Sequence, residues 1–129
     1  MSRLVISEDA RSGDLAALAL ALNEIIRLPI TMRSRNYPGV RVEKGVVLDD
    51  NYSGPVLEEA IKTKKSIRTI PKEGTYRGVA VAVAPIVVDG QAIAALGVVD
   101  MVGSIDIPEA FGAYIDVIKQ VSSQASEKK

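Results

Sequence analysis

The dipeptide Asp89-Gly90 constrains this chain more than any other pair of residues, because it sits between two β-rich apolar runs in YRGVAVAVAPIVVDGQAIAALGVVDM, Tyr76 to Met101. Asp-Gly supplies the positive φ values that a two-residue type I′ turn requires, so the runs fold back on each other as a hairpin. That turn sets a register in which Val88 pairs with Gln91, Ile86 with Ile93, Ala84 with Ala95, Ala82 with Gly97 and Ala80 with Val99. Pro85 then falls opposite Ala94 at a non-hydrogen-bonded site, where its missing N–H faces the outer flank. Pairing on that flank is expected to stop, or bulge, before Pro85. Both faces of the hairpin are apolar, as in strands covered on two sides. In this register one face carries Val79, Val81, Val83, Leu96 and Val98, and the other carries the small residues Gly78, Ala80, Ala82, Ala84, Ala95 and Gly97.

A chain of 129 residues has the size of one domain, spanning 1–129, with 1–6 as an irregular lead and 122–129 as a frayed tail. The core must be aliphatic, since 47% of residues are apolar and the aromatics are four Tyr and one Phe. Bases and acids balance at 16 each, which leaves no global field to recruit nucleic acid or an anionic membrane; neither is an expected partner. The charges are segregated: Arg27 to Lys44 and Ile61 to Arg77 are mostly basic, whereas Asp49 to Glu59 and Asp89 to Asp116 hold acids only. The absence of Cys and His excludes thiol nucleophiles, Ser-His-Asp triads, His or Cys zinc sites and a haem axial histidine. No catalytic residue, metal ligand or cofactor is assigned. Asp49 and Asp50 offer hard-cation oxygens but lack calcium-loop spacing. Leu15 to Leu22 is too short to cross a bilayer and the N-terminus carries acids where a signal peptide has bases, so a cytoplasmic location is expected.

In chain order, Ser7 before Glu8 and Asp9, or alternatively Ser12, starts a helix whose apolar face is Leu15, Leu18, Leu22, Ile25 and Ile26 and which Pro29 ends. Pro29 to Ser34 and Val40 to Leu48 read as two strands around a turn at Asn36, Pro38 and Gly39. The turn-rich run from Asp49 leads to a helix over Pro55 to Lys64, with Ser53 as its cap, a Glu58–Lys62 pair and a narrow face of Val56, Leu57, Ala60 and Ile61. Ser66 to Ile70 is a short strand before the long hairpin. A last helix carries Phe111, Tyr114, Ile115, Ile118 and Val121.

Arg33, Arg35 and Arg41 cluster around the first hairpin with Tyr37 at its turn, and guanidiniums hold carboxylates or phosphates through bidentate contacts; pairing of these arginines with Glu43 or the acidic blocks is the competing reading. Tyr52, Tyr76 and Arg77 add rings, hydroxyls and charge, and Asp100 stands either at a solvated strand end or at the mouth of a pocket. These eight residues are the ligand-binding candidates.

The order α-β-β-α-β-β-β-α, with Pro85, Ile86, Asp89, Gly90, Ile93, Leu96, Gly97, Val98, Val99 and Asp100 marking the central hairpin, resembles the GAF, PAS and profilin-like sensor folds. The runs TMRSRNYPGVRVEKG, Thr31 to Gly45, and YSGPVLEEA, Tyr52 to Ala60, are similar to a small uncharacterised family of methanogenic archaea. The sensor resemblance implies an α+β fold: one antiparallel sheet of five to six strands, the N- and C-terminal helices on one face, and a connecting helix on the other, where the Asp49 to Lys65 segment covers a pocket. It also implies a homodimer through the terminal helices.

The leading functional expectation is a non-catalytic, sensor-type module for a small anionic metabolite. A structural or dimerisation adaptor is the alternative, motivated by the spare apolar residues Leu20 and Val117. An enzyme pairing Asp100 with Tyr76 is the third reading.

Overall fold

The computed structural model describes residues 2–100. The elements run α1 (Ser12–Ile26), β1 (Ile30–Ser34), β2 (Gly39–Glu43), β3 (Val46–Tyr52), α2 (Pro55–Thr63), β4 (Ile67–Thr69), β5 (Ala80–Val88) and β6 (Gln91–Asp100). The strands form one open antiparallel sheet in the order β3-β2-β1-β6-β5-β4, so β1 and β6 meet at its centre. The expected last helix, Phe111 to Val121, lies outside the described residues. No helix among the described residues is long and apolar enough to cross a membrane.

Side chains alternate across the shared strands and sort into two cores. Ile30, Met32, Val40 and Val42, with Leu96 and Val98 beside them, pack against Leu15 and Ala19 of α1. Val81, Val83, Ala95 and Val99 pack against Leu57 and Ala60 of α2. Val98 and Val99 are neighbours on one strand, so α1 and α2 cover opposite faces of the sheet. α1 shields its β1–β2 side and α2 its β5–β6 side.

Three departures from the sequence reading have physical causes. The stretch 40–48 is not one strand but two, turning at Lys44 and Gly45, whose φ values of 52° and 77° are those of a type I′ turn. Lysine rarely takes the first left-handed position of such a turn, which is why the hairpin is hidden in the sequence. The run from Asp49 consequently continues as strand through Tyr52 instead of turning.

The second departure lies in the long hairpin. Asp89 and Gly90 do adopt positive φ, 51° and 78°, and Val88 does pair with Gln91. A bulge then shifts the ladder, because Val87 pairs with Ala92 but Ile86 pairs with Ala94, leaving Ile93 as the extra residue. Pro85 therefore stands opposite Ala95, not Ala94, and Val83 opposite Gly97. The two faces are not sorted by size: the valines of β5 meet Ala95 and Gly97, while Ala80, Ala82 and Ala84 share a face with Leu96 and Val98. The bulged Ile93 carbonyl accepts the Arg35 N–H at 2.8 Å. On the outer flank β4 pairs with β5 only from Val81 to Val83, so pairing does stop before Pro85.

The third concerns helix ends. α1 begins at Ser12, the alternative start, behind the N-cap Arg11, whose N–H is accepted by Asp14 Oδ2 at 3.0 Å, while Ser7 accepts the Asp9 N–H. Its buried stripe is Leu15, Ala19 and Asn23; Ile25 lies off that stripe and is 79% exposed. Gly54, not Ser53, caps α2, and Glu58 turns toward Ser53 and Arg33. Asn23, only 4% exposed, donates to the Leu28 carbonyl at 2.9 Å and accepts the Gly45 N–H at 2.7 Å. One buried amide thus pins the end of α1 to the Lys44-Gly45 turn.

Candidate functional site

The α2 face of the sheet is polar at β1–β2 and apolar at β5–β6, and a crevice forms where the two regimes meet. Thr31, Val81, Val83, Gly97 and Val99 form its floor. Tyr52, Pro55 and Leu57 form one wall, and the loop between β4 and β5, through Pro71, Thr75 and Tyr76, forms the roof. Gly97 keeps the floor low: a Cβ there would lie 2.7 Å from Thr31 Oγ1 and 3.0 Å from Val83 Cγ2. The free volume of the crevice is about 30 Å³, room for one or two waters.

The roof is a lobe closed on itself. The Gly78 N–H donates to Pro71 O at 2.9 Å across its neck, and Arg77 and Val79 donate to Gly74 O and Tyr76 O within it. Gly74 and Gly78 adopt φ of 92° and 82°, open to glycine at no steric cost. Most of the lobe is exposed, but Tyr76 turns inward and is 8% exposed.

Two phenols tie lobe and sheet together in opposite directions. Tyr76 of the lobe donates to Glu43 Oε2 on β2 at 2.7 Å, and Tyr52 of β3 hydrogen-bonds Thr75 of the lobe. Their rings meet edge to face, 6.4 Å apart at 60°. The same Glu43 oxygen accepts Arg41 Nη1 at 2.7 Å, and the Arg41 guanidinium carbon lies 6.0 Å from the Tyr76 ring centre. Arg41 Nε is buried without a hydrogen-bond partner.

Burial raises the hydroxyl pKa of both tyrosines above the ordinary phenol value. Glu43 reinforces the shift at Tyr76, because a phenolate there would lose its bond to the carboxylate and face a like charge. For Arg41, burial lowers the pKa, but its contacts with Tyr76 and Glu43 outweigh that and raise it. The group therefore sets a phenol donor and a guanidinium donor on one carboxylate oxygen.

Of the eight sequence candidates, the structure gathers Arg41, Tyr52 and Tyr76. Arg33 stands at the edge of this group, engaged by Ser53 Oγ at 2.6 Å, the Ser34 and Arg35 carbonyls, and Glu58 at 3.6 Å. Tyr37 is elsewhere, 3.9 Å beneath the guanidinium of Arg11 at the start of α1. Arg35 and Arg77 are exposed. Asp100 pairs with Ala80 and shares the α1 face with Val98, whereas Tyr76 packs in the core on the α2 face. The arginines do not converge; pairing with protein acceptors, the competing reading, describes Arg33 and Arg41.

Glu43 is the site residue that the sequence reading placed only as a counter-charge, and Thr31 and Thr75 were missed. The signal for Glu43 was its i,i+2 spacing from Arg41, which puts both side chains on one face of a strand. Among the described residues no three acids come together to hold a metal ion. Two wider hollows exist. One, about 550 Å³, lies between the end of α1 and the Lys44-Gly45 turn; the other, about 450 Å³, is lined by Leu28, Ile70, Ala82 and Val98 and opens beside Asp100, the last described residue.

Residues 22–102, which include β1 to β6 and all the residues of the crevice, match the family described as an uncharacterized protein conserved in archaea (DUF2111). An uncharacterized protein of Methanocaldococcus jannaschii is 43% identical over 103 residues, which cover 79% of each chain. The chain belongs to this archaeal family.

Proposed function

We propose that the chain is a non-catalytic, sensor-type module that binds a small molecule in the crevice between the sheet and α2. The observation that carries this is the roof: a surface lobe, not a core element, closes the crevice and is held down by side-chain hydrogen bonds at Glu43 and Tyr52. Such bonds contribute roughly 1–3 kcal/mol each, within reach of a ligand's binding energy. The crevice's free volume of about 30 Å³ is too small for a metabolite, so binding in this reading requires the lobe to lift. One antiparallel sheet with α1 and α2 on opposite faces is consistent with a GAF-, PAS- or profilin-like sensor.

Ligand charge follows from the site. Arg33 and Arg41 already have protein acceptors, and the Glu43 carboxylate behind Tyr76 is left to accept a donor once the lobe lifts, which favours a neutral donor over the anionic metabolite suggested by the arginines. A thermal-shift panel of neutral hydroxylated rings, carboxylates and phosphates tests the proposal. A ligand at 100 times its dissociation constant adds about 2.7 kcal/mol of stability, and a panel in which no compound raises the melting temperature overturns it.

A homodimeric adaptor is the second reading, favoured by Ile25 and Ile26 at 79% and 39% exposure on the last turn of α1. Light scattering that finds only monomer at micromolar concentration removes it.

A further inference from the structure

The ring of Tyr76 already occupies a seat with the character of a ligand site. Tyr52 meets it edge-on, the Arg41 guanidinium flanks it, and Glu43 Oε2 accepts its hydroxyl at 2.7 Å. The ring is delivered by the lobe, whose neck is a single backbone bond between Gly78 and Pro71. The lobe can therefore leave without breaking the β4–β5 ladder, which spans Ile67 to Thr69 and Val81 to Val83.

We infer that this seat is selective for a small ring bearing a neutral hydrogen-bond donor, of the phenol class, and that Tyr76 is a built-in occupant which the ligand replaces. The inference rests on the ligand-binding reading above and names the chemistry of the Tyr76 seat, which adjoins that crevice through Tyr52 and Tyr76. Three features select the class. The walls accept a flat ring. The carboxylate end accepts a donor, and an anion has no proton to give it. The buried Arg41 Nε–H has no hydrogen-bond partner, so a ligand with an acceptor that reaches it gains one bond more than the seated ring has. That gain lets a free ligand displace a tethered ring, whose effective concentration is high.

The test uses the full chain, isothermal titration calorimetry, and three probes of similar shape: p-cresol, toluene and 4-methylbenzoate. In Tyr76→Ala, shown to be folded by circular dichroism, p-cresol is expected to bind about tenfold or more tighter than either other probe, the worth of one hydrogen bond to a charged acceptor. Adding Glu43→Leu should abolish that preference. Equal binding of toluene and p-cresol, or no binding of any probe, overturns the inference. Should Tyr76→Ala not fold, Tyr76→Phe serves: its weaker latch should raise the affinity for p-cresol above that of the unmodified chain, and no increase overturns the inference. If the unmodified chain responds to nothing in the thermal panel while Tyr76→Ala still selects p-cresol, the seat's chemistry stands and the ligand-binding function falls.

Discussion

The hydroxyl of Tyr76 and the carboxylate of Glu43 are 2.7 Å apart although 33 residues of chain separate them. This bond fastens a surface lobe to the second strand of the sheet. Tyr76→Phe removes it while keeping the ring, and leaves Glu43 paired with Arg41. The expected cost is about 1–2 kcal/mol in urea unfolding, with faster hydrogen exchange at the Gly78 amide, which closes the lobe's neck. A loss confined to global stability, with Gly78 protected as before, would show that the hydroxyl does not hold the lobe.

Alkaline pH should act through the same residue. The folded-state pKa of Tyr76 lies above the unfolded value of about 10, so the unfolded chain loses this proton first. The stabilisation is fully present below about pH 10 and is lost as pH rises toward the folded value. Tyr52 shifts in the same direction. Each contributes a slope of up to about 1.4 kcal/mol per pH unit. Urea midpoints measured from pH 9 to 11 should fall more steeply for the unmodified chain than for Tyr76→Phe.

Gly97 and Thr31 are partners across the central β1–β6 pair, and a Cβ on Gly97 would come within 2.7 Å of Thr31 Oγ1. Gly97→Ala is expected to cost about 1–3 kcal/mol by overpacking. Thr31→Ala in the same chain removes the obstructing oxygen, so the double variant should be more stable than the sum of the single effects predicts, a coupling that a double-mutant cycle measures.

Lys44 holds φ of 52° at the first position of the β2–β3 turn. Lys44→Asn places there a residue that tolerates the left-handed region and makes an Asn-Gly turn. Thermal unfolding should show a gain of roughly 0.5 kcal/mol, whereas a loss would mean that the lysine side chain contributes a contact of its own.

What the sequence showed and hid can be traced to single residues. Asp89-Gly90 announced its turn because both residues suit positive φ, and Pro85 announced the limit of β4 because it lacks a donor. The bulge at Ile93 gave no such sign: the Arg35 N–H that takes the Ile93 carbonyl there comes from nearly sixty positions upstream. Lys44-Gly45 concealed its turn because lysine is an uncommon first residue there. At the site, Tyr52, Tyr76 and Arg41 were legible as chemistry-bearing types. Which of the eight candidates share a face was not, since that depends on strand parity, and a single missed hairpin and a single bulge each reset it.

The order β3-β2-β1-β6-β5-β4 has a consequence for how the chain assembles. Each outer trio is built from neighbours in sequence, so β1-β2-β3 and β4-β5-β6 can each gather through local connections, the longest being the lobe between Thr69 and Ala80. The seam between β1 and β6 joins Ile30–Ser34 to Ala94–Val98, and closing it carries the largest loop entropy in the sheet. Thr31 and Gly97 lie on that seam and in the floor of the crevice. The site is therefore complete only when the two halves of the chain meet.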